Sequence, residues 1–523
     1  MKGIRFFALL TAAALALSLT ACAGASNAST GEPAASAATG GAMDSFANCA
    51  PMEALEPDWN TEEYSHMDEN GFHAAALSPL STFAADVDTA SYANLRRMLL
   101  NGQEVPADAV RIEEMVNYFR YDYPEPEGDA PFSVSAEIAP CPWNNDTLLL
   151  RVGLQAPQPD WEAMPPSNLV FLLDVSGSMD QWNKLPLVKQ AFLLLTEHLR
   201  PGDTISIVTY ASSDRVVLDG ATGDEAETIQ TAIEDLTARG STAGSRGILT
   251  AYELARKHFI PGGNNRVILA TDGDLNVGVT SEGELVKLIE EQKKDGIFLS
   301  VLGFGEGNLK DNKLEALADH GDGNYAYIDS VLEAKRVLVE EMGGTLFTVA
   351  KDVKFQVEFN PAQVEAYRLI GYENRLMDAE DFADDAKDGG EVGAGHRVTV
   401  LYELALPGSD MEVPESDLKY QETVPTGSDE WLTVSVRYKE PEGTESRLLE
   451  YPVGQEQVRD TPSPDTAFAA CVAQFGMLLR DSEYAGTATY QGVAEQLASL
   501  PGINDDPYRS ELLYLVRRQA GKG

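Results

Sequence analysis

Cysteine and histidine are scarce: 523 residues hold 4 Cys and 6 His. So few thiols exclude a disulfide-dense scaffold and a Cys-based zinc array. Basic residues are short as well. Lys and Arg total 39 against 83 Asp and Glu, a formal net charge of −44. Such a surface repels phosphate backbones, which excludes nucleic acid as a partner and disfavours an anionic bilayer surface. Beyond the N-terminal segment no stretch reaches roughly 18 uncharged apolar residues, so no membrane span is predicted there. The His residues (His66, His73, His198, His258, His320, His396) form no His-Glu-x-x-His or paired spacing, and no Gly-x-Ser-x-Gly elbow occurs. What is present is ordinary for folded domains: 43% hydrophobic and 23% charged residues, in a chain long enough for about three to four domains.

The chain opens with Lys2 and Arg5, runs apolar from Phe6 to Leu19, and reaches Leu19-Thr20-Ala21-Cys22. The run has the length of a secretory h-region, and its end resembles a bacterial lipobox. Residues 1–21 are therefore expected to be a lipoprotein signal peptide and Cys22 the lipidated residue. Its acyl chains would hold the protein to a membrane of the bacterial cell envelope, facing the periplasm or the exterior. Residues 22–79 read as a flexible acidic tether: Ala23 to Met43 are mostly Ala, Gly, Ser and Thr, and Glu56 to Asn70 collect Asp and Glu. Cys49, Cys141 and Cys471 permit one disulfide at most, and their spacing does not say which pair.

Residues 80–166 carry helical spacing at Ser91–Leu100 and Val110–Phe119, then strand alternation at Phe132–Ile138 and Leu148–Leu154. Residues 167–346 alternate strand and helix. The strands are predicted at Leu169–Leu173, Thr204–Tyr210, Arg266–Thr271, Ile297–Phe304 and Tyr325–Ile328. The helices are predicted at Val188–Leu199, Glu225–Thr237, Arg246–His258, Glu282–Lys294, Asn312–Asp319 and Val331–Glu341. That order implies an α/β, doubly wound, Rossmann-like sheet whose site lies at the C-terminal ends of its strands. Residues 347–460 are β-rich, with strands at Val353–Phe359, Tyr367–Tyr372, Arg397–Leu404 and Trp431–Tyr438. They are expected to complete one β-sandwich with the strands at 132–154, the α/β unit being inserted between the two halves. Residues 461–523 predict three helices, at Pro464–Arg480, Tyr490–Leu500 and Tyr508–Gln519.

One constellation carries chemistry. Asp174-Val-Ser176-Gly-Ser178 closes the first predicted parallel strand. Thr242 lies in Gly240-Ser-Thr-Ala-Gly, which leads into a helix, and Asp272 lies in Thr271-Asp-Gly at the end of another strand. The duller reading, in which Asp174 and the two serines cap the next helix, leaves Thr242 and Asp272 without a role. Together the three pieces resemble the metal-ion-dependent adhesion site of von Willebrand factor A domains. The resemblance covers residues 167–346. Beyond it, Phe83-Ala-Ala-Asp-Val-Asp-Thr-Ala-Ser-Tyr, Tyr367-Arg-Leu-Ile-Gly-Tyr-Glu-Asn-Arg-Leu and Gly390-Glu-Val-Gly-Ala-Gly-His-Arg-Val-Thr resemble a subfamily of bacterial lipoproteins, with 80–166 as its N-terminal associated region. The resemblance implies Ser176, Ser178 and Thr242 as hydroxyl ligands of a metal, with Asp174 and Asp272 binding directly or through water. Two carboxylates and three hydroxyls are hard donors that suit Mg²⁺, or Mn²⁺ or Ca²⁺, better than zinc. A Glu or Asp carboxylate from a protein partner would complete the coordination.

Weaker signals point elsewhere. The acidic run Asp378–Asp388 lacks the register of an EF-hand loop and reads as a solvated loop. Gly303-Phe-Gly-Glu-Gly reads as a strand exit, not a dinucleotide fingerprint. His198 and His258 are expected at helix ends, in contact with the helix dipole. The expected function is a membrane-anchored, metal-dependent binding module and not an enzyme. One alternative is an assembly protein acting through its β-rich flanks. Another is a Mg-dependent phosphohydrolase with Asp174 as nucleophile. An Asp at a strand tip beside Mg²⁺ is similar to the site of haloacid-dehalogenase phosphotransferases, and that resemblance implies a second Asp two residues on, where this chain has Ser176.

Overall fold

A computed structural model describes residues 62, 64–85, 88–128, 130–160, 164–240, 246–273, 282–306, 309–341, 347–387, 389–409, 411, 427–441 and 443–522. The predicted signal peptide, Cys22, Cys49 and Thr242 lie outside them.

The N-terminal flank contributes β1 (His73–Ala74), β2 (Leu80–Ala84), α1 (Ala90–Asn101), α2 (Ile112–Asn117), β3 (Ser133–Pro140) and β4 (Thr147–Gln155). Residues 64–79, expected as the end of the tether, are folded. Ala75 is buried, Glu69 accepts a hydrogen bond from Ser482 Oγ, and the neighbouring Glu62 pairs with Arg97 at 2.9 Å. Two of the acidic residues that suggested a self-repelling spacer, Glu62 and Glu69, serve as partners for an arginine and a hydroxyl of the folded body.

The inserted unit follows as β5 (Ser167–Asp174), α3 (Leu185–Thr196), β6 (Thr204–Tyr210), β7 (Asp214–Thr222), α4 (Ala226–Glu234), α5 (Gly247–Lys257), β8 (Asn264–Thr271), α6 (Glu282–Lys294), β9 (Phe298–Phe304), α7 (Asp311–His320), β10 (Tyr325–Ile328) and α8 (Val331–Lys335). A π-helical turn, Arg336–Glu340, continues α8. The six strands lie in the order β10-β9-β8-β5-β6-β7, all parallel except β7, which runs antiparallel to β6. All eight residues of β5 are buried. Leu169, Phe171 and Leu173 face α3 and α4, while Val170 and Leu172 face α5, α6 and α7, as the two-residue period of a strand covered on both sides requires. Ala90 and Ala93 of α1 join the second of these layers. The edge strand β7 has no counterpart in the predicted elements, because Asp214-Arg-Val-Val-Leu-Asp-Gly-Ala-Thr is half-exposed and lacks an apolar run.

The chain then forms β11 (Thr348–Phe359), β12 (Ala366–Ile370), β13 (Gly390–Gly393), β14 (Arg397–Ala405), β15 (Leu432–Lys439) and β16 (Ser446–Val453), followed by α9 (Pro464–Arg480), α10 (Tyr490–Ser499) and α11 (Pro507–Ala520). One sheet is β1-β12-β14-β4-β3; the other is β13-β11-β15-β16, with β2 also paired to β11. Ile138, Leu150, Val152 and Leu154 from before the insertion share a core with Phe355, Val357, Val400, Tyr402, Val434 and Val436 from after it. The sandwich is thus built from both flanks, as expected. Its first sheet turns Leu149, Ile370 and Leu401 outward against α2 and the C-terminal helices, which form a further layer. Buried arginines tie the α/β unit to that layer: Arg96 of α1 bonds Asp329, Glu333 (2.8 Å) and Glu511 (3.2 Å).

Candidate metal centre

The chain runs from β5 to its neighbour β6 on one side, and later returns to place β8 on the other. The crevice between the tips of β5 and β8 is therefore the switch point of the sheet, where open α/β folds bind ligands. Leu173 stands opposite Ala270 in the β5–β8 register, so Asp174 and Asp272 emerge on the same rim. Asp174 is fully buried, and Ser176 and Asp272 are about 1% exposed, whereas Ser178 is exposed. The rim is open on the Ser178 side.

The loop after β5 is held by backbone and side-chain bonds. Ser176 N–H donates to Asp174 Oδ1 at 2.8 Å, and the hydroxyls of Ser176 and Ser178 lie 2.9 Å apart. Gly177 N–H donates to Gly240 O at 2.9 Å, and Arg239 N–H to Val175 O at 2.7 Å. These two bonds fasten the start of the Gly240 loop beside the serines. A Cβ on Gly177 would lie 3.0 Å from Gly240 O, so the close approach favours glycine there. The structure thus brings Asp174, Ser176 and Ser178 together and places Asp272 at the neighbouring strand tip on the same rim, while Thr242 lies outside the described residues.

The electrostatics are those of a site short of positive charge. Among the described residues Asp174 Oδ2 and Asp272 Oδ1 are buried with no hydrogen-bond partner within 3.5 Å, and the hydroxyl of Tyr210 at the tip of β6 faces Asp174. Burial pushes the Asp174 carboxyl up to about 6; Asp272 adds repulsion, and the bonds from Ser176 oppose it. Burial raises the Tyr210 hydroxyl well above the ordinary tyrosine range, and the Asp174 charge adds to the rise. Orphaned carboxylate oxygens at a rim with two hydroxyls fit a hard divalent cation, which would satisfy both at once. Among the described residues no group of three or more His, Cys, Asp and Glu side chains converges to hold an ion, so a zinc cage or a carboxylate cluster finds no support there.

Two neighbours of the site escape sequence reading. Tyr210 could have been found, since β6 ends there opposite Asp174. Lys184 carries no such signal: it precedes α3, and its Nζ donates to Asp272 Oδ2 at 2.8 Å with both side chains buried. The weaker candidates behave as expected or more plainly. Acidic residues of the 378–388 run neutralise basic side chains, with Asp385 on Arg437 and Asp381 on Lys387. His258 lies past the end of α5 and contacts Asp219 at 2.7 Å, a partner more specific than a helix dipole.

Three family descriptions match the chain: von Willebrand factor over residues 58–151, von Willebrand factor type A domain over 168–340, and the C-terminal domain of uncharacterized protein YfbK over 344–521. Uncharacterized protein sll0103 of Synechocystis is 31% identical over 188 residues, covering 35% of this chain and 43% of that protein. Inter-alpha-trypsin inhibitor heavy chain H3 of Homo sapiens is 30% identical over 194 residues, 35% of this chain and 22% of that protein. Among solved structures, a von Willebrand factor type A protein from Catenulispora acidiphila aligns over 72% of this chain and 88% of its own, at 18% identity and a TM-score of 0.39. Uncharacterized protein YfbK of Escherichia coli is 41% identical over 488 residues, which is 91% of this chain and 84% of that protein. With that identity over nearly its whole length, the chain belongs to the YfbK family of bacterial von Willebrand factor type A proteins.

Proposed function

We propose that this protein is a membrane-anchored, divalent-metal-dependent binding module that captures a carboxylate of a protein partner. Asp174, Ser176, Ser178, Thr242 and Asp272 would hold the ion, Mg²⁺ or else Mn²⁺ or Ca²⁺. When bound, such an ion supplies a positive centre with an open coordination position that a partner Glu or Asp can fill. The observation that supports the reading is the pair of buried oxygens, Asp174 Oδ2 and Asp272 Oδ1, with no hydrogen-bond partner within 3.5 Å among the described residues, at the switch point of the sheet. Asp174 and Asp272 supply charge, the Ser176 backbone N–H fixes the Asp174 carboxylate, and exposed Ser178 marks the side from which a partner enters.

Binding suits this site better than phosphoryl transfer. The position two residues after Asp174 is occupied by Ser176, whose hydroxyl is engaged with Ser178. A domain that binds through a metal is also what a von Willebrand factor type A domain commonly supplies. Lipidation at Cys22 would place the module on a membrane of the cell envelope, facing the periplasm or the exterior, with protein as its partner.

The test is affinity capture from source membranes with and without Mg²⁺, using wild type and Asp174→Ala. The partner is expected to be captured by wild type with Mg²⁺, and to be lost with a chelator or with the variant. Capture that persists under both conditions overturns the metal bridge.

A further inference from the structure

Asp174 and Asp272 are not equivalent. Asp174 meets a backbone N–H, whereas Asp272 meets a buried ammonium: Lys184 Nζ stands 2.8 Å from Asp272 Oδ2. Among the described residues each carboxylate keeps one oxygen with no hydrogen-bond partner within 3.5 Å, Asp174 Oδ2 and Asp272 Oδ1. The lysine is held in this position. Its main-chain N–H donates to Gln181 O, and its carbonyl accepts from Val188 N–H at the start of α3. Its stem crosses Gly305, just past β9, where a Cβ would come within 2.4 Å of Lys184 Cε. Gly305 also has φ +76°, so its backbone conformation favours glycine as well as the passage of the lysine. The glycine-rich strand exit noted in the sequence thus has a use: it opens the route by which Lys184 reaches the rim.

We propose that Lys184 is a built-in counter-cation of the metal centre, holding Asp272 by Oδ2 and leaving Oδ1 to the ion, so that the pocket presents one net negative charge instead of two. This rests on the metal reading above and adds its regulation. A pocket with two uncompensated buried carboxylates would hold a divalent ion tightly and quench most of its charge. With Lys184 in place the ion binds less tightly alone and keeps more positive charge for an incoming carboxylate, so that metal and acidic partner reinforce each other. A cation within hydrogen-bond reach of a carboxylate that also faces the ion acts at short range in a medium of low effective dielectric, where the effect of one charge is large.

The experiment is Mn²⁺ binding to the full chain, without any partner, by calorimetry and by the electron paramagnetic resonance of free Mn²⁺. Wild type, Lys184→Met, Gly305→Ala and Asp174→Ala are compared. Lys184→Met is expected to bind Mn²⁺ at least tenfold more tightly than wild type. Gly305→Ala, which crowds the lysine stem but keeps both carboxylates, is expected to shift affinity in the same direction. If Lys184→Met fails to fold, Gly305→Ala carries the test. A purely structural lysine would leave affinity unchanged or lower it. If wild type binds and Asp174→Ala does not, but neither of the other variants binds more tightly, the counter-cation is overturned and the metal centre stands. If wild type does not bind, or binds as well without Asp174, both fall.

Discussion

Replacing Asp174 with Asn makes a prediction with two opposite signs. Burial pushes the Asp174 carboxyl up to about 6, against an ordinary value of 3.8, with repulsion from Asp272 adding to the rise and the bonds from Ser176 opposing it. A raised folded-state pKa means that the stability this group allows is fully present below 3.8 and is lost as pH rises through about 6. At neutral pH and without divalent ions, the charged form therefore costs the fold about 3 kcal/mol. Asn keeps an oxygen for the Ser176 N–H but buries an amide N–H₂, for which about 1 kcal/mol is a fair deduction. Asp174→Asn is thus expected to be about 2 kcal/mol more stable than wild type in a chelator at neutral pH, and no more stable below pH 4. A divalent ion reverses the order. At roughly a hundred times its dissociation constant it adds about 2.7 kcal/mol to wild type, and it adds little to the variant. Denaturant unfolding, with and without Mg²⁺, reads both effects. A variant less stable in chelator, or one that Mg²⁺ stabilises as much as wild type, would refute the reasoning.

Other perturbations test the frame around the site. Arg96→Met leaves Asp329, Glu333 and Glu511 without their shared guanidinium and is expected to cost about 3–5 kcal/mol in denaturant unfolding, since an unpaired buried charge remains. Burial, with repulsion from Glu373 and Glu114, pushes the Glu113 carboxyl up to about 7. Stability is therefore expected to fall between pH 4.5 and 7, and Glu113→Gln to flatten that slope and raise stability by about 2 kcal/mol at higher pH; an unchanged slope would remove Glu113 as its source. Cys141 and Cys471 are free, buried thiols, each pushed up to about 12 by burial. Maleimide is expected to label them in denaturant and not in the native protein, as read by mass spectrometry.

The parts legible in the sequence are those with a strong local pattern. β5 reads as an apolar run ending in Asp174, and β6, β8, β9 and β10 fall within two residues of their predicted limits, because parallel strands buried on both faces must be continuously apolar. α6 and α9 match their predicted spans. The elements that escape are short or half-exposed: β2 and β13 have only five and four residues and lie mostly buried beside β11, while β7 and β16 are edge strands with much of their length in contact with solvent. Residues 64–79 escape for a different reason. Their order comes from Ser482 and β12, partners that lie far along the chain and that local composition cannot reveal. The site divides the same way. Asp174, Ser176, Ser178 and Asp272 sit at strand ends whose convergence follows from the topology. Lys184 reaches Asp272 only because Gly305 leaves room, a relation between two loops more than a hundred residues apart.

A divalent ion is proposed to sit at the tips of β5 and β8. Anomalous diffraction from crystals grown with Mn²⁺ tests it most directly. One peak is expected within bonding distance of the Ser176 and Ser178 hydroxyls, flanked by Asp174 and Asp272, and no such peak in Asp174→Ala. An ion bound at another face, with this rim left empty, would contradict it.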